Sequence, residues 1–109
     1  MTNQTEGVWI IDADARTLYA NASMASILRT TSAAMLGKTS FNYLFPEDMG
    51  AAQKLFEGKQ KGDPSPFHFR LRCEDGSAVW VDVLGTPMRN AQGEFIGIVG
   101  TFSVSPNQR

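Results

Sequence analysis

A thiol, an imidazole and two pairs of neighbouring carboxylates are the groups of this 109-residue chain whose types could do chemistry. Cys73 and His68 are each the single residue of their kind. A thiol turns into a redox centre as its thiolate, which a nearby cation such as Arg70 or Arg72 would favour. With no second cysteine to resolve an oxidised sulfur, Cys73 reads as an ordinary thiol at a strand end. One cysteine excludes an internal disulfide, and one cysteine with one histidine excludes the Cys/His sets that hold structural zinc, so no metal site is expected. His68 alternates with Phe67 and Phe69 and therefore points away from their apolar face, as a solvated strand histidine.

Paired acids can serve as general acid and base. Asp12/Asp14 and Glu47/Asp48, however, fall in a turn and at a helix start, where carboxylates accept from free backbone N–H groups. No Gly-rich phosphate loop follows a strand, and no serine sits in a nucleophile elbow. No residue is assigned a catalytic role, and the chain is read as non-enzymatic.

Charge and hydropathy narrow the partners. Ten basic residues against eleven acidic ones give a net charge of −1, with no cluster that would hold nucleic acid or an anionic membrane. The most apolar stretches, Val8 to Ile11 and Phe95 to Phe102, are far shorter than the ~20 residues of a membrane span. The polar N-terminus lacks the basic and apolar regions of a signal peptide. The expected location is cytoplasmic, with any membrane anchor left to a longer parent protein. Hydrophobic residues at 42% suffice for one core, and no repeat or composition shift divides the chain.

The elements follow from the spacing of apolar residues. Val8 to Ile11 and Thr17 to Ala20 read as two strands joined by a tight turn. Met24, Ile27 and Leu28, three and four apart, place a helix over Ala22 to Leu28. Thr31 or Ser32 can cap a short turn over Ala33 to Leu36, which Gly37 ends. A brief helical piece holds Phe41, Leu44 and Phe45. Pro46-Glu47-Asp48 then opens a longer helix with Met49, Ala52, Leu55 and Phe56 as its stripe, Lys59 and Lys61 at its negative end, and Gly62-Asp63-Pro64 as its stop. After that the period is two: Phe67 to Arg72, a turn at Asp75-Gly76, Ala78 to Met88 with Pro87 suited to a strand end, a turn over 90–93, and Phe95 to Val104. Gly97 and Gly100 mark places where something approaches that last strand closely. Two strands, a block of short helices and a three-strand meander make an α+β fold with helices on one sheet face.

That order, with particular residues, resembles the PAS family of sensory domains over residues 7–102. Four segments carry it: Trp9-Ile10-Ile11-Asp12 with Leu18-Tyr19-Ala20-Asn21; Met35-Leu36-Gly37-Lys38 with Pro46-Glu47-Asp48; Phe67 to Arg72 leading to Asp75-Gly76-Ser77 and Trp80-Val81; and Gly93, Gly97, Val99 and Gly100. The resemblance implies a five-stranded antiparallel sheet of order 2-1-5-4-3, with helices closing one face into a pocket. It implies a flexible segment over 1–6, a sensor domain over 7–104, and a tail or output linker over 105–109. Many members end the last strand with Asp-Ile-Thr, whereas this chain reads Val104-Ser105-Pro106. These three residues are the candidates for signal relay, with Ser105 able to cap an output helix that Pro106 begins.

The resemblance also sets tests for cofactors. Flavin photosensors of the family carry Asn-Cys-Arg-Phe-Leu-Gln, and here Ser40 falls near the cysteine position with neither the arginine nor the glutamine after it. Haem sensors offer a histidine from the long helix, and residues 49–61 contain none. Adduct-forming flavin and haem are therefore not expected, and the cofactor is none or unknown. What remains is an apolar pocket lined by Ile11, Met24, Leu28, Phe41, Leu44, Leu55, Phe56, Phe69, Val81 and Val99, with Asn21 and Thr101 as polar contacts, open to a small apolar metabolite. Trp9 and Trp80 are the candidates for a homodimer contact. The resemblance implies the regulatory module of a bacterial two-component sensor histidine kinase, covalently joined to its output domain. The alternative is a ligand-free dimerisation module of a diguanylate cyclase or transcriptional regulator.

Overall fold

The computed structural model describes residues 6–106. The β-branched and aromatic run at the start forms β1, Gly7–Asp12, which pairs with β2, Thr17–Ala20. Asp12 closes the turn between them: its Oδ1 accepts from the backbone N–H of Asp14 at 2.8 Å and of Arg16 at 2.9 Å. Asn21 then switches the chain from strand to helix. Its Oδ1 accepts from Met24 N at 2.9 Å as the N-cap of α1, Ala22–Ile27, and from Val8 N at 3.0 Å, tying that helix to β1.

Thr31 caps the single turn α2, Ser32–Met35, accepting from Ala34 N at 3.1 Å. Two 3-10 turns follow, Ser40–Tyr43 and Pro46–Asp48, and the second leads directly into α3, Met49–Gln60. The meander is β3, Phe67–Arg72, β4, Ala78–Arg89, and β5, Phe95–Val104. Pro87 lies inside β4 rather than at its end. Pairing with β3 stops at Val83, so this part of β4 has β5 alone as a neighbour and tolerates a missing N–H.

All five strands form one antiparallel sheet of order β2-β1-β5-β4-β3. The helices pack on one face: α1 on β1, α2 on β2, and α3 on β4 and β5. Under them lies the core, where Met24, Leu28, Met35 and Val81 are fully enclosed with Trp9, Ile11, Tyr43 and Val83 around them. Burial of each large side chain contributes about 1.5–3 kcal/mol, which is what holds these short helices in place.

One irregularity sets which residues face the core. Opposite β4, the register of β5 jumps from Gly97 against Met88 to Phe95 against Arg89. A Cβ on Gly97 would collide with the carbonyl oxygen of Ile11, so only glycine admits the bulge. Beyond it Ile98, Gly100 and Phe102 face inward, while Val99 and Thr101 face outward beside Ile10, Val8, Thr86 and Leu84.

Candidate functional site

Between α3 and the inner faces of β1, β3, β4 and β5 lies a cavity of about 120 Å³. Its wall is built from Trp9, Ile11, Phe41, Leu44, Ala52, Leu55, Phe56, Phe67, Phe69, Leu71, Val83, Ile98 and Phe102, with Gly85 and Gly100 in its floor. The rings brace one another edge to face. Phe56 meets Phe41 at 6.4 Å and Phe95 at 5.8 Å between centroids, and Phe67 meets Phe69 at 6.4 Å. The ring of Phe102 folds over Gly100, where an added Cβ would stand 2.7 Å from Cε1, and leans on Trp9 at 5.5 Å.

Ser40 and Lys59 supply the polar side chains of this wall. Lys59 is 4% exposed. Its stem crosses the bare backbone of Gly85, and its Nζ donates to the carbonyls of Asp63 and Ser65, each at 2.8 Å. Spacing explains this burial: Ala52, Leu55, Phe56 and Lys59 lie at i, i+3, i+4 and i+7, on one helix face. Lys59 does stand in the last turn of α3, as expected, but buried; Met49, expected on the apolar stripe, is instead 40% exposed and off the wall.

Of the twelve residues expected around the pocket, Ile11, Phe41, Leu44, Leu55, Phe56 and Phe69 lie on the cavity wall. The other six lie elsewhere. Met24 and Leu28 fill the core beneath α1, and Val81 is enclosed with no surface on the cavity. Asn21 spends its side chain on backbone groups, its Nδ2 donating to Glu6 O at 3.0 Å in addition to the two N–H bonds that its Oδ1 accepts. Val99 and Thr101 lie on the opposite sheet face because of the bulge, and the Thr101 hydroxyl donates to Leu84 O at 3.4 Å.

Trp9 is corrected as a dimer contact: it is 4% exposed, its ring edge meets Tyr43 at 5.7 Å, and its Nε1 donates to Thr17 Oγ1 at 2.9 Å. Trp80 does lie on the outer face, stacked on His68 at 4.9 Å and 9° between planes. His68 Nδ1 is 2.9 Å from Asp82 Oδ1 on that same exposed face. Cys73 is buried, with its thiol donating to Ile27 O at 3.3 Å; Arg70 meets Asp48 and Glu47, and Arg72 donates to the carbonyls of Leu44 and Asn42, so neither guanidinium is spent on the sulfur. Val104 ends β5 opposite Val81 and is exposed, while Ser105 is buried with its N–H donating to Trp80 O at 2.9 Å. Residues 1–5 of the expected N-terminal segment and 107–109 of the expected tail lie outside the described residues.

The model of the PAS fold matches residues 1–104. The chain belongs to the PAS fold family. Among curated proteins, this PAS domain is similar to an uncharacterized protein, y4lL, of Sinorhizobium fredii, at 24% identity over 94 residues. That match covers 85% of the chain and 11% of the relative's length. Among solved structures it is similar to a light-oxygen-voltage domain studied with a flavin analogue, at TM-score 0.80 and 19% identity, covering 94% of this chain and 79% of that one. It is similar to the N-terminal domain of a diguanylate cyclase with a PAS/PAC sensor from Marinobacter aquaeolei, at TM-score 0.76 and 17% identity over 92% and 94% of the two chains. It is also similar to a sensory box histidine kinase/response regulator from Burkholderia thailandensis, at 0.71 and 18% over 91% and 76%. At these identities the likeness is one of fold.

The cavity of this PAS domain does not fit a flavin. It holds about 120 Å³, against ~300 Å³ and more for sites of larger ligands, and its two polar side chains cannot answer the many heteroatoms of that ring system. It does match a void of ~150 Å³ that is known to take benzene. Ser40, expected near the position of the adduct cysteine, stands on this wall with a hydroxyl in place of a thiol. Among the described residues no cluster of three metal-ligating side chains occurs, and no helix is long and apolar enough to cross a membrane.

Proposed function

We propose that this PAS domain is a non-catalytic sensing module that takes a small apolar molecule, one ring or a short chain, into the cavity beneath α3. The parent protein on this reading is a bacterial two-component sensor histidine kinase, in keeping with the fold it shares with the Burkholderia and Marinobacter signalling proteins. The observation that carries the reading is the aromatic, nearly unbroken apolar wall around a void of about 120 Å³. Filling such a void restores contacts that its lining otherwise lacks. Because α3 forms one wall and β4 and β5 the other, occupancy bears on how α3 is seated. The relay is assigned to Val104, Ser105 and Pro106, where β5 leaves the sheet and Ser105 stays hydrogen-bonded to β4. Native mass spectrometry of the purified domain, together with thermal scans against single-ring and short-chain compounds, tests this. Saturable binding that raises the melting temperature is expected, and bare polypeptide with no stabilising compound overturns it.

A second reading, dimerisation without ligand, is favoured by the outer sheet face. Tyr19 and Leu84 there are 49% and 50% exposed, with Ile10 and Val99 between them. Sedimentation velocity of Leu84→Glu and Trp80→Ala tests it: a concentration-dependent dimer lost in both variants supports this reading, and a wild-type monomer at high concentration sinks it.

A further inference from the structure

From the setting of Lys59 we infer that the cavity's ligand carries an anionic head, a small aromatic carboxylate whose ring lies among the phenylalanines and whose carboxylate meets the Lys59 ammonium. The inference rests on the cavity reading above and goes beyond it by naming the ligand's polar group.

Lys59 is a charged residue of a wall whose other polar side chain is Ser40, and it is 4% exposed. An ammonium carries three N–H donors. Two are spent on the carbonyls of Asp63 and Ser65, both at 2.8 Å. The third has no hydrogen-bond acceptor among the described residues; the ring face of Phe67, itself part of the wall, lies 5.7 Å from Nζ to the centroid. No carboxylate forms an ion pair with it among the described residues, and Asp63 directs its Oδ1 to the backbone N–H of Ser65 instead. Two neutral carbonyls and the through-space attraction of the Asp63 carboxylate hold this charge, and a counter-ion in direct contact would add to them. Gly85 completes the geometry by leaving room for the lysine stem to run along the cavity floor. The ammonium therefore stands where the wall of Phe67 meets the 63–65 loop, placed to receive one oxyanion from a ligand whose body fills the apolar space.

The test uses the full chain and three probes of matched size: benzoate, benzamide and toluene, titrated by calorimetry. Benzoate is expected to bind at least about tenfold more tightly than benzamide, the ratio of a charge-assisted over a neutral hydrogen bond. Lys59→Met should erase that ratio, so that benzoate and benzamide bind alike, and Lys59→Arg should retain part of it. The wild-type ratio needs no variant to fold, and circular dichroism checks those that are made. If toluene binds but benzoate gains nothing over benzamide, the anionic head is refuted and the apolar cavity stands. If none of the three binds, the cavity reading itself fails and this inference falls with it.

Discussion

Ala52 sits on α3 with its methyl group on the cavity wall, and Ala52→Leu pushes an isobutyl group into the space the ligand would occupy. Leucine is as good a helix former as the position requires, so the backbone is not disturbed. About three further buried carbons at ~0.8 kcal/mol each offer about 2 kcal/mol of stabilisation to the ligand-free variant. From the other side, a void of about 120 Å³ at ~24 cal/mol per Å³ costs about 3 kcal/mol, which bounds what a filling ligand can restore. For a domain of this size each kcal/mol moves the midpoint by roughly 4 °C. The expected outcome in calorimetric scans is a melting temperature that rises or holds in Ala52→Leu, while the several-degree shift given by toluene on the wild type falls to near zero. An unchanged toluene shift in the variant would refute the reasoning, because the ring would then be binding elsewhere. A fall of more than 2 kcal/mol in stability would refute the estimate that the void accepts those carbons.

Gly97→Ala should lower stability by roughly 1–3 kcal/mol in urea melts, because the new methyl meets the Ile11 carbonyl and the bulge has no room to yield. Asn21→Ala, which strips the cap joining β1 to α1, should cost about 0.5–2 kcal/mol and speed amide exchange in α1, while toluene affinity holds because the residue is off the cavity. Asp75 has its carboxyl lowered from 3.8 to about 2, first by hydrogen bonds from the Ser77 hydroxyl and backbone N–H, then by Arg29. A depressed carboxyl contributes stability that is full above 3.8 and lost as the pH falls through about 2, so Asp75→Asn should flatten that limb of the stability profile measured by denaturant titration.

Most of the fold was legible because each element announces its own period. The alternation from Phe67 onward, the Asp75-Gly76 turn and the three-and-four spacing of Met24, Ile27 and Leu28 each specify a local structure that the tertiary fold kept. The cavity was half legible, and its errors have physical causes. Counting by twos from Phe95 puts Val99 and Thr101 inward, whereas the bulge at Gly97 shifts the parity and brings in Ile98, Gly100 and Phe102. A glycine inside a strand was the available signal for that shift. Asn21, between a strand and a helix, carries the mark of an N-cap rather than of a ligand contact. Trp9 shares a strand face with Ile11, so placing Ile11 in the pocket already places Trp9 there. Lys59 was missed because a lysine near a helix end usually serves the dipole in solvent, although its phase with Ala52 and Phe56 puts it on the buried stripe. Met24, Leu28 and Val81 are apolar on the correct face, and no sequence pattern separates a core side chain from one bordering a void, since that depends on packing across elements.

The most direct measurement is the pattern of intermolecular nuclear Overhauser effects between bound toluene and methyl-labelled isoleucine, leucine and valine of the domain. The account predicts contacts to the methyl groups of Ile11, Leu44, Leu55, Val83 and Ile98 on the cavity wall. Contacts confined to Ile10, Leu84 and Val99 on the opposite face, or none at ligand saturation, would contradict it.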